Sequence, residues 1–263
     1  MEPVTLHAVS RRLGSAGDWY RGLRGAARRL GMRAYHRAAA LNYRGRLLAP
    51  KRPTAAGAYR SHEPVASHAF DPLLAALAAT TGPEDTVYDI GAYAGGYALP
   101  LAADTPQRTV VAIEPDAASR RRLRANRDRT APDGTVLVRP VGVGAADEHR
   151  PFYRSSFPKL SSFDRADATR WGAQVTGVES VRIRTLDTLT ERLPAPDHIK
   201  IDVEGLAPAV LAGATETVAR HRPTLFVEPH DRPGADRTGA IRAWCAKHGY
   251  TATDRGGALV CRP

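Results

Sequence analysis

The chain has 263 residues, enough for one large domain with an extension, or for two small domains. Its net charge of +11 is uneven: residues 1–60 hold 13 Arg and Lys against 2 acids, while residues 61–263 hold 25 of each, which argues against a globally basic nucleic-acid binder. No apolar run approaches bilayer length, and two cysteines, Cys245 and Cys261, are too few for a disulfide framework or a zinc site.

Residues 1–17 show no pattern and no apolar signal-peptide core, so the expectation is a reduced, cytoplasmic protein, peripheral at a membrane at most. From Trp19 to about Leu48 the spacing is helical, with Leu23, Ala27, Leu30, Ala34, Ala38 and Leu41 on one face and Arg21, Arg24, Arg28 and Arg29 on another. Gly22, Gly25 and Gly31 weaken this helix by about 1 kcal/mol each relative to Ala, so it needs a surface to fold against. That surface is its own domain, a second subunit in a homo-oligomer, or an anionic partner. The anionic choices are a membrane, a lipid-linked glycan and, against the charge balance, nucleic acid. Pro50, Pro53, Gly57 and Pro64 mark 49–64 as a linker, giving a basic arm and linker over 1–64 and a second domain over 65–263.

Asp71-Pro72 opens a helix to about Ala79. Regular alternation follows: strand 86–90, helix 94–103, strand 109–113, helix 116–129 and strand 135–138. A strand-rich insert (150–154, 181–184) encloses a Ser-rich loop, 155–178. Strand 198–203, helix 208–220, strand 224–227, helix 236–248 and strand 259–261 complete the chain. Strands alternating with helices predict a parallel sheet wrapped on both faces.

Asp89-Ile90-Gly91-Ala92-Tyr93-Ala94-Gly95-Gly96 lies where a strand turns into a helix, the usual place for a cofactor in an open sheet. About 20 residues further on, Glu114 ends the next strand, the spacing of a carboxylate that reads ribose hydroxyls. Tyr93 stands where a dinucleotide loop has its second glycine, which blocks close approach of a pyrophosphate. An acid at the strand end suits an ammonium instead. The loop therefore favours S-adenosyl-L-methionine over NAD, with Asp89, Gly91, Tyr93, Gly95 and Glu114 as binding residues.

Ile199-Lys200-Ile201-Asp202-Val203-Glu204-Gly205 puts two acids at the carboxyl end of a second strand. Read as strand residues, Asp202 and Glu204 face one side and suit a general base, a cofactor ligand or a metal ligand. Glu228 and His230 follow a third strand on the same rim, and His230 is the first candidate for a proton acceptor, before Asp202 or Glu204. Lys200, Asp187 and Glu228 are candidate substrate-binding residues, although Asp187 equally fits a helix cap. No metal is required.

Val87-Tyr88-Asp89-Ile90-Gly91-Ala92, Ala112-Ile113-Glu114-Pro115, Thr185-Leu186-Asp187, Ile199 to Gly205, Val210-Leu211-x-Gly213-Ala214 and Val227-Glu228 occur in that order. Together they resemble the FkbM family of S-adenosylmethionine-dependent methyltransferases over about 84–232. The resemblance implies a class I methyltransferase fold: a Rossmann-like, mostly parallel seven-stranded sheet with helices on both faces, here with the basic helical extension. It implies O-methylation of a saccharide, glycan or glycosylated natural product, on a hydroxyl or a sugar carboxylate. It also implies that Asp202 contributes to cofactor binding. Two positions depart from the family pattern: Tyr93 replaces a usual Asn, and Ala207 replaces a usual acid. An RNA or protein methyltransferase using the arm, and a non-catalytic partner protein, are the alternative readings.

Overall fold

The computed structural model describes residues 16–64, 71–131 and 135–263, with side chains from residue 30 onward. The elements in chain order are α1 (Ala16–Gly45), β1 (Lys51–Thr54), β2 (Gly57–Arg60), α2 (Pro72–Thr80), β3 (Thr86–Ile90), α3 (Ala98–Asp104), β4 (Thr109–Ile113) and α4 (Ala117–Thr130). They continue with β5 (Val136–Arg139), β6 (Gly142–Val143), β7 (Glu148–Ser155), α5 (Arg165–Ala168), β8 (Val175–Arg184), α6 (Leu186–Thr190) and β9 (His198–Ile201). The last are α7 (Ala207–Ala212), α8 (Thr215–His221), β10 (Thr224–Val227), α9 (Arg237–Lys247), β11 (Thr251–Arg255) and β12 (Ala258–Arg262).

Among the described residues, seven strands form one sheet in the order β11-β12-β10-β9-β3-β4-β5. The ladder is parallel from β10 to β5, and β12 runs antiparallel between β10 and β11. This is the class I methyltransferase arrangement. Its strands are apolar on both faces because helices cover both. Val87, Val110, Ala112, Phe226 and Val260 point to one side, where they meet α2, α3 and Leu123 of α4. Tyr88, Ile90, Val111, Ile113, Ile199 and Ile201 point to the other, against α7, α8 and α9. Each fully buried large side chain contributes roughly 1.5–3 kcal/mol of transfer free energy.

Four expectations are corrected. Residues 49–64 are not a plain linker: β1 and β2 form an antiparallel hairpin whose Tyr59 is buried beside α3. The helix expected over 208–220 breaks at Gly213–Ala214 into α7 and α8. The edge strand β11, polar and mostly exposed, carries no apolar signal to announce it. In α1 the expected apolar face points outward. Leu30, Ala34, Ala38 and Leu41 are exposed, and Tyr35, His36, Ala39 and Tyr43 form the docked side. Polar bonds hold that side: Tyr35 donates to Glu63 (2.6 Å), and Tyr43 Oη accepts from Asn126 (2.8 Å). Hydropathy periodicity does not register such contacts. Leu23, Ala27, Arg21, Arg24, Arg28 and Arg29 lie outside the described side chains, as residues 1–15 lie outside the described chain.

Candidate active site

The carboxyl ends of β3, β4, β9 and β10 open onto one cleft of about 340 Å³, within the size range of small-ligand pockets. The loop after β3 turns sharply because Gly91 (φ 83°), Tyr93 (φ 47°) and Gly95 (φ 87°) all take the left-handed region. Gly91 is required twice over, since a side chain there would also overlap the Asp202 carbonyl. These turns delay the helix, so α3 starts at Ala98 rather than at 94.

Glu114 directly follows β4 and is buried. One of its carboxylate oxygens accepts from the Tyr93 amide and the other from the Asp116 amide, both at 2.8 Å. Two backbone donors fix the plane of the carboxylate at the cleft wall and leave each oxygen further acceptor capacity. Burial raises its pKa to about 7, against the pull of those two amides.

Asp89 sits on the cleft floor, but its carboxylate is already engaged. The β3–β9 register places Asp89 beside Lys200. The ammonium lies 3.0 Å from Oδ1, and Oδ2 accepts from the Ala98 amide at 3.1 Å. Asp89 is therefore the counter-ion of the protein's own lysine, not the open ammonium ligand suggested by its place in the chain. Burial opposes the Lys200 charge, but Asp89 and Asp202 outweigh it and hold the pKa above the ordinary lysine value. Lys200 lines the floor with its head tied to Asp89 and to the Gly91 carbonyl (3.3 Å).

Strand β9 stops at Ile201, so Asp202 and Glu204 do not share a side by strand alternation. Left-handed backbone at Glu204 (φ 45°) and Gly205 (φ 98°) turns both acids to the cleft. Arg170 pairs with Glu204. His230, also left-handed (φ 55°), sits between them: Nε2 is 2.6 Å from Asp202 Oδ1 and Nδ1 is 3.6 Å from Glu204 Oε2. Burial alone would lower the His230 pKa, but the bond to Asp202 and the charges of Asp202 and Glu204 raise it to about 9. Flanked on both nitrogens, the ring is an imidazolium at neutral pH, a correction to its reading as a free proton acceptor. Glu228 differs from its neighbours. It lines the cleft, its carboxylate accepts no hydrogen bond among the described residues, and burial followed by the Asp202 charge lifts it to about 7.

The structure brings Asp89, Gly91, Tyr93, Glu114, Lys200, Asp202, Glu204, Glu228 and His230 to one cleft. Two predicted residues are elsewhere. Gly95 packs beneath the loop against Leu99. Asp187 accepts from the Thr217 amide and hydroxyl (2.8 and 2.7 Å), which caps α8 and leaves it no place in the cleft.

Several contributors escape sequence reasoning because they arrive from distant segments. Asp167, fully buried, pairs with Arg237 (2.8 Å), which in turn donates to the His230 carbonyl and so fixes that turn. The Tyr93 hydroxyl accepts from Arg122 (2.6 Å) and lies 3.3 Å from Glu63, the residue that also binds Tyr35 of α1. Oxygens of Asp202 and Glu228 and a ring nitrogen of His230 lie within 4.8 Å of one another, a spacing that can hold a cation. The Lys200 ammonium and the His230 imidazolium already set two positive charges among these acids.

A family profile described as "Methyltransferase FkbM domain" matches residues 89–252. The chain is 29% identical over 216 residues to the AMB antimetabolite synthetase AmbE of Pseudomonas aeruginosa, an alignment covering 68% of this chain and 10% of that protein. A solved methyltransferase FkbM from Methylobacillus flagellatus KT is similar over 68% of this chain and 43% of that one, at 20% identity and a TM-score of 0.46. The magnesium protoporphyrin IX methyltransferase of Synechocystis PCC 6803 is similar over 73% of this chain and 75% of that one, at 11% identity and a TM-score of 0.42. The chain thus spans a tenth of the curated relative's length and under half of the Methylobacillus protein's.

Proposed function

The chain belongs to the FkbM methyltransferase family, and from that premise we propose that it transfers a methyl group from S-adenosyl-L-methionine to an oxygen of a saccharide, glycan or glycosylated natural product. The observation that carries the cofactor is Glu114, a buried carboxylate held edge-on to the cleft by two backbone amides, with an acceptor site left on each oxygen for a ribose diol. Asp202, at the cleft lining, supplies the negative charge near which a methionyl ammonium would rest, since Asp89 is committed to Lys200. Bound cofactor supplies a methyl carbon made electrophilic by its sulfonium.

The chain's own residues then have three tasks. The first is to hold the acceptor oxygen in line, about 3 Å from that carbon. Ser161, Ser162 and the edge-packed Phe152–Phe163 pair (4.9 Å) also line the cleft, a mixture of hydroxyls and ring faces that suits a polyhydroxylated ring. The second is to take the acceptor's proton, which falls to the Glu228 carboxylate. The third is to keep the rim rigid, which the His230 imidazolium does by bridging Asp202 and Glu204.

Titration calorimetry with S-adenosylhomocysteine tests the reading. Micromolar binding is expected, weakened at least tenfold in Glu114→Ala, from the loss of charged hydrogen bonds worth about 1.5–3 kcal/mol each. Folded protein that takes up none would overturn it.

A further inference from the structure

We propose that the outer face of α1, with the turn that follows it, is a docking surface for an anionic lipid bilayer. Leu30, Leu41, Leu47 and Leu48 are 70%, 65%, 70% and 71% exposed. They account for most of the exposed large apolar side chains among the described residues, and all four fall within one short stretch of chain. Leu30 and Leu41 stand on the same side of the helix, about 16 Å apart along its axis. Ala34 lies between them, and exposed Arg33, Arg37 and Arg44 form an adjoining stripe on that side. Exposed Arg46 and Lys51 extend the positive charge past the helix end.

This face is surplus to the fold. The opposite side of α1 makes the contacts with the domain, through Tyr35, His36 stacked on Phe157 (5.3 Å), Ala39 and Tyr43. Leucines that serve no internal packing, flanked by arginines, fit an interface in which apolar tips enter between headgroups and guanidiniums meet phosphates. The charge distribution agrees, since the whole net positive charge of the chain lies in residues 1–60. A second copy fits less well, because two arginine stripes would face each other. RNA would leave the leucines unused. No described helix is long and apolar enough to cross a membrane, so the helix lies on the surface. Phe157, against which α1 packs, belongs to the same segment as Pro158, Lys159 and Ser161 of the cleft wall. A bilayer-bound arm would therefore bring the cleft close to the lipid surface.

Flotation of the full chain tests this, with vesicles of phosphatidylcholine alone and of equal parts phosphatidylcholine and phosphatidylglycerol. The expected result is flotation with the mixed vesicles only, reversed by high salt. Arg33→Gln, Arg37→Gln and Arg44→Gln together should weaken it roughly 100-fold, about fivefold for each charge removed. Leu30→Ser with Leu41→Ser should weaken it at least tenfold. All five positions are exposed, so folding is preserved, and the readout is independent of methyl transfer. Absence of flotation overturns the proposal. So does RNA binding that survives the Leu substitutions, or a dimer by light scattering that the Leu substitutions dissolve.

Discussion

At the residue scale, the site works by pairing charges so that one carboxylate is left poised. Asp89 is committed to Lys200, and Asp202 and Glu204 flank His230, while Glu228 accepts no hydrogen bond among the described residues and has its pKa near neutrality. If Glu228 is the base, kcat rises with pH as the carboxyl ionises near 7. It falls again near 9 as the His230 imidazolium loses its proton and its hold on Asp202 and Glu204. Glu228→Gln should lower kcat by about 10²–10⁴-fold and abolish the acid limb, with S-adenosylhomocysteine affinity within a few-fold of the parent. A kcat profile whose acid limb persists in this variant would remove Glu228 from that role. The Asp89–Lys200 pair predicts something different, about stability. Lys200→Met alone strands a buried carboxylate and should cost about 3–5 kcal/mol in urea unfolding. Adding Asp89→Asn should recover much of that loss. A double-variant loss equal to the sum of the two single-variant losses would mean that the pair is not coupled.

At the element scale, the cofactor loop is shaped by more than the strand and helix beside it. Asn126 of α4, fully buried, joins three pieces of chain: it accepts from the His62 amide (2.9 Å) and donates to the Ala94 carbonyl (2.9 Å) and the Tyr43 hydroxyl (2.8 Å). Asn126→Ala leaves the His62 donor and the Ala94 acceptor buried without this partner, a loss of about 1–3 kcal/mol for each unsatisfied group. It should also weaken S-adenosylhomocysteine binding severalfold, although Asn126 does not line the cleft. Affinity unchanged in calorimetry would show that the loop keeps its shape alone. The central strands and most helices were legible in the sequence because burial on both faces writes β-branched, mostly apolar runs such as Val87–Tyr88 and Thr109–Ile113. The strand-end acids were legible because their positions follow those runs. What stayed hidden was contact between distant segments: Glu63 with Tyr93, Asp167 with Arg237, and Lys200 taking Asp89. The solvent-facing leucines of α1 misled because periodicity marks a face and not its partner.

At the scale of the whole molecule, the arm and the domain share one network. Tyr35 on α1, Glu63 after the hairpin, Tyr93 in the loop and Arg122 on α4 are joined by bonds of 2.6–3.3 Å. Because Tyr93 also donates its amide to Glu114, whatever grips Glu114 pulls on the same chain of contacts. Coupling of this kind runs equally in both directions. Ligand in the cleft should slow deuterium uptake by the amides of residues 30–45, and Tyr93→Phe should erase that slowing while leaving the helix in place. If uptake there ignores the ligand in the parent protein, the two regions are energetically independent. Where they are coupled, a surface that immobilises the arm also tightens the grip on the cofactor. The protein would then hold its methyl donor most firmly at the place where it is anchored.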